Sequence, residues 1–109
     1  MQRRVEGILS IGVDSNQNYL HPGKVLTSMM KRVDNAVYQA MKDGPGMEKG
    51  FNVMGIANGG VGYAMDENNA ELISTDMLTA VDAAAAKIAD GSLVVHDYMS
   101  DDSCAALSF

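Results

Sequence analysis

A short apolar run near the start of the chain constrains the fold more than any other feature. In Ile8–Val13 five of six residues are apolar or glycine, without the polar alternation of a half-solvated strand. Such a run predicts a strand covered on both faces, which is typical of parallel sheets in α/β proteins. Ligands of open α/β sheets bind outside the carboxyl ends of the strands. Asp14, the first residue beyond this run, is therefore a candidate ligand contact.

A helix is predicted soon after this strand. The polar segment 15–23 is predicted to be a loop, and Val25–Thr27 to be a short strand. Ser28 has the residue type of a helix N-cap, and Gly44–Pro45 stops the predicted helix after Asp43. One buried stripe at helical spacing is expected from Met30, Val33, Val37, Ala40 and Met41.

Lys31 lies within the first turn of this predicted helix. A cation is disfavoured there by the helix dipole, although the cost at an exposed site is only roughly a few tenths of a kcal/mol. Spacing alone therefore supports an ordinary surface lysine and a ligand-binding lysine equally.

The rest of the chain continues the α/β pattern. Its expected elements are a buried strand at Phe51–Ile56, a hairpin through Asn58–Gly59 into Val61–Ala64, a helix from Ser74–Asp76 to Gly91, and a short strand at Leu93–Val95.

A calcium loop is the first chemical alternative. The spacing of Asp14, Asn16 and Asn18 matches the opening of such a loop, in which alternate oxygen atoms face one ion. Tyr19 and Val25, however, stand where the sharp turn needs glycine and the coordination shell needs glutamate. Calcium binding is therefore not expected.

Other chemistries also lack part of their motif. The glycine-rich segment 57–62 has neither GxGxxG nor a following GK[ST], and the acidic segment 66–71 is expected to be a solvated loop. His21 has no second ligand at metal spacing, and His96-Asp97 has no nucleophile at a strand-to-helix turn. Cys104 has no partner for a disulfide or a metal. We expect no catalytic residue, metal or cofactor.

Charge and length exclude several classes of partner. With 14 acidic and 8 basic residues among 109, the net charge of -6 disfavours nucleic acid and anionic membranes. The opening MQRRVEG lacks the apolar region of a signal peptide, and no apolar run approaches the ~20 residues of a membrane span. As written, the chain is expected to stay in the cytoplasm.

Two long segments carry a resemblance. GVDSNQNYLHPGKVLTSMMKRVDNAVYQAMKDG, followed by GIANGGVGYAMDENNAELI, resembles the C-terminal third of the basic membrane protein (Bmp) family. These proteins are substrate-binding lipoproteins of ABC importers, and several bind purine nucleosides. The similarity runs from about Gly7 to Tyr98. The family pattern has an acid where this chain has Asn16.

The resemblance implies the C-terminal part of a two-lobed, type I periplasmic-binding-protein fold. Residues 1–98 would form a partial domain with a small, mostly parallel sheet, and residues 99–109 a polar tail. Lys31 matches a ligand-pocket lysine of the nucleoside-binding members. Asp14 in the second lobe and Lys31 in the first would face each other across the cleft. A complete member is much longer, and is exported and anchored as a lipoprotein.

The predicted function is that of a solute-binding component of an ABC importer, which binds a purine nucleoside without chemistry. Its partners would be the missing N-terminal lobe and an ABC permease. One rival is a small α/β enzyme that uses Asp14 as base and Lys31 as electrostatic partner. Another is a non-functional remnant of a truncated gene. Alone, the chain is expected to self-associate and to bind nucleosides weakly or not at all.

Overall fold

The computed structural model describes residues 7–103. The predictions for the opening segment before Gly7 and for Cys104 therefore fall outside the described residues. The elements are β1 (Ser10–Asp14), a 3-10 turn (Asn18–Leu20), β2 (Val25–Lys31), α1 (Val33–Asp43), a second 3-10 turn (Gly44–Gly46), β3 (Val61–Tyr63) and α2 (Thr75–Ala89).

The strands form one sheet in the order β1-β2-β3. β1 pairs with β2 in parallel, so that Gly12 lies opposite Ser28 and Asp14 opposite Met30. β3 pairs with β2 in antiparallel fashion, with Lys31 opposite Val61. The α/β class is confirmed, and the sheet is mixed, with one parallel and one antiparallel pair.

The predicted N-cap at Ser28 is wrong. Ser28 lies in the middle of β2, and the helix begins only at Val33. β2 is the central strand, so both of its edges are hydrogen-bonded to neighbours, and this pairing outweighs the local helix preference of the Ser-Met-Met-Lys segment. Consequently Lys31 ends a strand instead of starting a helix.

The ends of both helices follow local sequence signals. Gly44 ends α1 with a φ of 52°, and its N–H donates to the carbonyl of Ala40. Ser74 caps α2, and its Oγ accepts a hydrogen bond from the N–H of Met77 at 3.2 Å. Gly91 follows that helix with a φ of 82°, a conformation that favours glycine.

Two predicted strands are absent from the described part of the chain. Residues 51–56 and 93–95 pair with no neighbour there, and Phe51 is fully exposed. Instead of forming a hairpin with 51–56, β3 takes the free edge of β2. The segment before β3 closes on itself, because the N–H of Gly60 donates to the carbonyl of Gly55 at 2.8 Å.

Helix α2 is attached to β3 by one polar contact. The hydroxyl of Tyr63 donates to Oδ1 of Asp82 at 2.5 Å. This hydrogen bond to a carboxylate, with a contribution from burial, raises the pKa of Tyr63.

The apolar core of the described residues is very small. Among residues 7–103, only Val25 and Ala64 are buried apolar residues, at 5% and 2% exposure, whereas the expected α1 stripe is largely open to solvent. β1 is also exposed except at Gly12, so the prediction of a strand covered on both faces is wrong for this chain. Within residues 7–103, no helix is long and apolar enough to cross a membrane.

The dimensions agree with this lack of burial. The accessible surface is 9220 Å² for a mass of 11.6 kDa. A compact monomer of that mass would expose about 5,800 Å². The radius of gyration is 17.3 Å, against about 13 Å for a compact domain of this length. The apolar faces of β1 and α1 therefore lack the cover that a complete domain provides.

Candidate functional site

The carboxyl ends of β1 and β2 bring together the two residues that the sequence singled out. Asp14 is the last residue of β1 and Lys31 the last of β2. Because the strands are parallel, their carboxyl ends meet at one edge of the sheet. Nζ of Lys31 lies 3.0 Å from Oδ1 of Asp14.

This arrangement corrects the predicted setting of both residues. They end adjacent strands of one sheet, and do not lie on a strand and a helix on opposite sides of a cleft. The helix-dipole argument for Lys31 therefore no longer applies. Both side chains remain well exposed, at 61% for Lys31 and 67% for Asp14. An ion pair so open to water contributes only about 0–1 kcal/mol to stability, so both groups stay free to rearrange around a solute.

Asp14 has an unusual backbone conformation. Among the described residues, it alone of the non-glycine residues has a positive φ, at 81°. Side chains other than glycine populate this region sparsely, and such residues cluster at binding and catalytic sites. The strained backbone is therefore an independent reason to place function at this position.

The loop after Asp14 is folded back against β2. The N–H of Val13 donates to Oε1 of Gln17 at 3.2 Å, and the N–H of Gln17 donates to Oγ of Ser28 at 3.0 Å. The hydroxyl of Ser28 in turn donates to Oδ1 of Asn18 at 2.8 Å. Ser28 and Asn18 are fully buried.

A carboxylate in the second loop completes this polar cluster. Oδ2 of Asp66 accepts from Nδ2 of Asn16 at 2.7 Å and from Nδ2 of Asn18 at 3.2 Å. The hydrogen bond from Asn16 is the largest of the effects that lower the pKa of Asp66. Nδ2 of the fully buried Asn69 donates to the carbonyls of Leu26 and Ala64, at 2.8 and 3.0 Å.

The sequence reasoning missed the role of this cluster. It treated Asn16 and Asn18 as part of a failed calcium loop, and Asp66 as one acid of a solvated loop. One signal was present, since Asn16-x-Asn18 and Asp66-x-Asn68 both have the spacing of Asx turns. Both turns form, with N–H to side-chain oxygen distances of 3.0 and 2.8 Å.

The remaining features of the described chain do not extend the site. A groove of about 510 Å³ lies between α1 and the segment 47–58, but neither Asp14 nor Lys31 lines it. Within residues 7–103 there is no cluster of three or more His, Cys, Asp or Glu residues that could hold a metal ion. The convergence of charge and strained backbone favours the edge at Asp14 over the groove.

Comparison with known proteins assigns the family. No curated protein matches the chain. The family model Bmp, described as "ABC transporter substrate-binding protein PnrA-like", matches residues 2–96 of the 109. Proteins of this family bind a small-molecule solute outside the cytoplasm for an ABC permease, and they are not enzymes. The chain therefore belongs to the Bmp family of PnrA-like ABC transporter substrate-binding proteins.

Proposed function

We propose that Asp14 and Lys31 bind the ribose of a purine nucleoside. The observation that carries this proposal is their 3.0 Å contact at the exposed carboxyl edge of β1 and β2. A carboxylate can accept two hydrogen bonds from vicinal hydroxyls, whereas an ammonium group can donate to hydroxyl or ring oxygens. Two neighbouring groups of this kind match the alternating oxygens of a sugar edge.

The site needs further residues to hold the base. A purine is bound largely by aromatic stacking and by enclosure. The chain has no Trp, and its two Phe residues are the fully exposed Phe51 and the terminal Phe109, which lies outside the described residues. Of its four Tyr residues, Tyr63 is bonded to Asp82 and the other three are exposed. In this proposal the stacking side chains come from the other lobe of a complete, membrane-anchored binding protein, and this edge supplies the sugar-binding half.

The experiment compares a ribonucleoside with an analogue that lacks the sugar hydroxyls. Calorimetry on a two-lobed protein that carries these residues should give much weaker binding of 2′,3′-dideoxyinosine than of inosine, and both should be recovered unchanged. Equal affinities would show that the vicinal hydroxyls make no contact. Conversion of inosine to products would favour the enzymatic alternative.

When the chain is alone, its exposed apolar faces favour association with another protein surface. The surface is about 3,400 Å² larger than that of a compact monomer, which exceeds the roughly 1,000–2,500 Å² that each partner contributes to a permanent interface. Val33, Val37 and Met41 are exposed apolar side chains of α1 that recur every four residues and so lie along one face of the helix. We infer that the isolated chain covers this stripe with a second copy of itself.

A further inference from the structure

The strained backbone of Asp14 lies between two hydrogen bonds, one made by the residue before it and one made by a residue after it. The first joins the N–H of Val13, the residue before Asp14, to Oε1 of Gln17 at 3.2 Å. The second joins the N–H of Gln17 to Oγ of Ser28 at 3.0 Å, on the neighbouring strand. Residues Asp14 to Asn16 must therefore reverse direction within a short loop. One end of this loop is held at Val13 and the other at Gln17, which is bonded to Ser28.

The side chains of Gln17 and Ser28 occupy the space beside Gly12 that a Cβ would need. A Cβ added to Gly12 would lie 2.5 Å from Oγ of Ser28 and 2.9 Å from Oε1 of Gln17. Both distances are shorter than contacts that real Cβ atoms make. Both atoms therefore lie close beside the backbone of Gly12 in β1, and this close approach requires glycine at that position.

Ser28, which holds the Gln17 end of the loop, is itself held by neighbouring residues. Ser28 is fully buried, lies opposite Gly12 in the sheet, and donates to Oδ1 of Asn18. Asn18, also fully buried, donates to Asp66. Since each of these groups has its partners, the Ser28 hydroxyl has little freedom to follow a movement of Gln17.

We propose that Gln17 and Ser28 are positioning residues that hold Asp14 in its left-handed backbone conformation and thereby present its carboxylate beside Lys31. Only the predicted effect of this arrangement on nucleoside binding rests on the proposed function. The conformational part stands on the hydrogen bonds and packing described above. The competing explanation is that the ion pair with Lys31 holds Asp14, while Gln17 only stabilises the loop.

The first test measures the conformation of Asp14 directly by NMR on the ¹⁵N-labelled 109-residue chain. A positive φ gives a strong intraresidue cross-peak between the amide and α protons. We expect this strong cross-peak in the parent and in Gln17→Glu, because a carboxylate still accepts from Val13. We expect its loss in Gln17→Met, which keeps the length of the side chain without the acceptor.

Lys31→Met is the matched control, because it removes the ion pair and leaves both hydrogen bonds intact. It should keep the strong cross-peak. A strong cross-peak in Gln17→Met, or its loss in Lys31→Met, would overturn the positioning role. Cross-strand contacts between Gly12 and Ser28 report in each variant whether the sheet is still formed.

A thermodynamic cycle covers the case in which Gln17→Met disturbs the sheet. Glycine adopts a φ of 81° without strain, so Asp14→Gly should raise the denaturation midpoint of the parent. In the Gln17→Met background, Asp14 is no longer held in the strained conformation, and the same change should not raise the midpoint. An equal increase in both backgrounds would contradict the inference.

Nucleoside affinity separates this inference from the proposed function. In a two-lobed protein that carries these residues, Gln17→Met should weaken inosine binding by about tenfold, the lower range for a lost hydrogen bond to a charged group, and Gln17→Glu should restore it. If the cross-peak is lost but affinity stays unchanged, the positioning role stands and the assignment of Asp14 to the ribose is wrong. If the cross-peak persists in Gln17→Met, the positioning role is wrong, whatever the affinity.

Discussion

Nζ of Lys31 lies 3.0 Å from Oδ1 of Asp14, where two neighbouring parallel strands end. The pair is well exposed, and the backbone of Asp14 has a positive φ. Exposure makes the pair a weak contributor to stability, and positive φ makes Asp14 a costly residue for the fold. The proposed role in solute binding would account for both features together.

Lys31 gives the first prediction. Lys31→Met keeps most of the side-chain stem and removes the ammonium group, so stability should change by no more than about 1 kcal/mol, the range for an exposed ion pair. Inosine binding by a two-lobed protein that carries these residues should nevertheless weaken. Urea denaturation and calorimetry measure the two effects. Unchanged affinity for inosine would show that Lys31 is an ordinary surface lysine.

The N-terminus of α1 gives a prediction for pH. Nε and one Nη of Arg32 donate to the two carboxylate oxygens of Asp34 at 3.0 and 2.8 Å. This contact, led by the hydrogen bond from Arg32, lowers the pKa of Asp34 from 3.8 to about 2. A depressed folded pKa gives stability that is present above the unfolded value and is lost as the pH falls through the folded one.

The stabilisation that this contact gives to the start of α1 should therefore be lost between about pH 4 and pH 2, and the effect should be small because both side chains are exposed. Carbon-detected NMR titration of the Asp34 carboxyl group should give a midpoint close to 2 in the parent. In Arg32→Gln, the midpoint should move up towards 3.8. An identical midpoint in both proteins would show that the guanidinium does not stabilise the carboxylate.

The buried polar cluster gives a prediction for stability. Asn69→Ala removes the amide that donates to the carbonyls of Leu26 and Ala64. Leaving buried acceptors unpaired should lower the free energy of unfolding by about 1–3 kcal/mol. Asn52→Ala is the matched control, since Asn52 is exposed and its one contact, with the carbonyl of Glu48, is 3.5 Å long. Equal urea midpoints for the two variants would contradict a structural role for the cluster.

The exposed stripe of α1 gives a prediction for association. Sedimentation should show the 109-residue chain as a dimer or larger species, and Val37→Lys should shift it towards monomer because a charge disrupts an apolar contact. Ala83→Lys adds the same charge to an exposed site on α2 and should leave the distribution unchanged. A compact monomer of the parent at all concentrations would refute self-association.

Local chemistry predicted the parts of the fold that depend on neighbouring residues. Ser74 caps α2 and Gly44 ends α1 as expected, because each signal acts within one helical turn. Ser28 resembles Ser74 in type, but its place is set by Gly12 across the sheet. Phe51–Ile56 has the composition of a strand but stays unpaired in the described chain, although β1 and β3 each keep an open edge. Strand composition alone therefore does not decide which segments pair.

In the candidate site, too, some features follow from local sequence and others depend on contacts between distant residues. The sequence singled out Asp14 from the end of β1 and Lys31 from the resemblance to the family, but it placed them on a strand and a helix across a cleft and not on adjacent strands of one sheet. It did not find the cluster that holds the loop, because Asn16 and Asp66 are 50 residues apart. Such contacts depend on how two loops pack, and residue type and local spacing carry little information about that packing.

The most direct measurement is the affinity of a two-lobed protein that carries these residues for inosine, with and without the Asp14 carboxylate. Asp14→Asn keeps the size of the side chain but removes its charge and one acceptor oxygen. The affinity for inosine should fall by an amount equivalent to about 1.5–3 kcal/mol, the range for hydrogen bonds to a charged group. The affinity for 2′,3′-dideoxyinosine, which lacks the hydroxyls, should be the same in the parent and in Asp14→Asn. Equal inosine affinity in the parent and in Asp14→Asn would contradict the account.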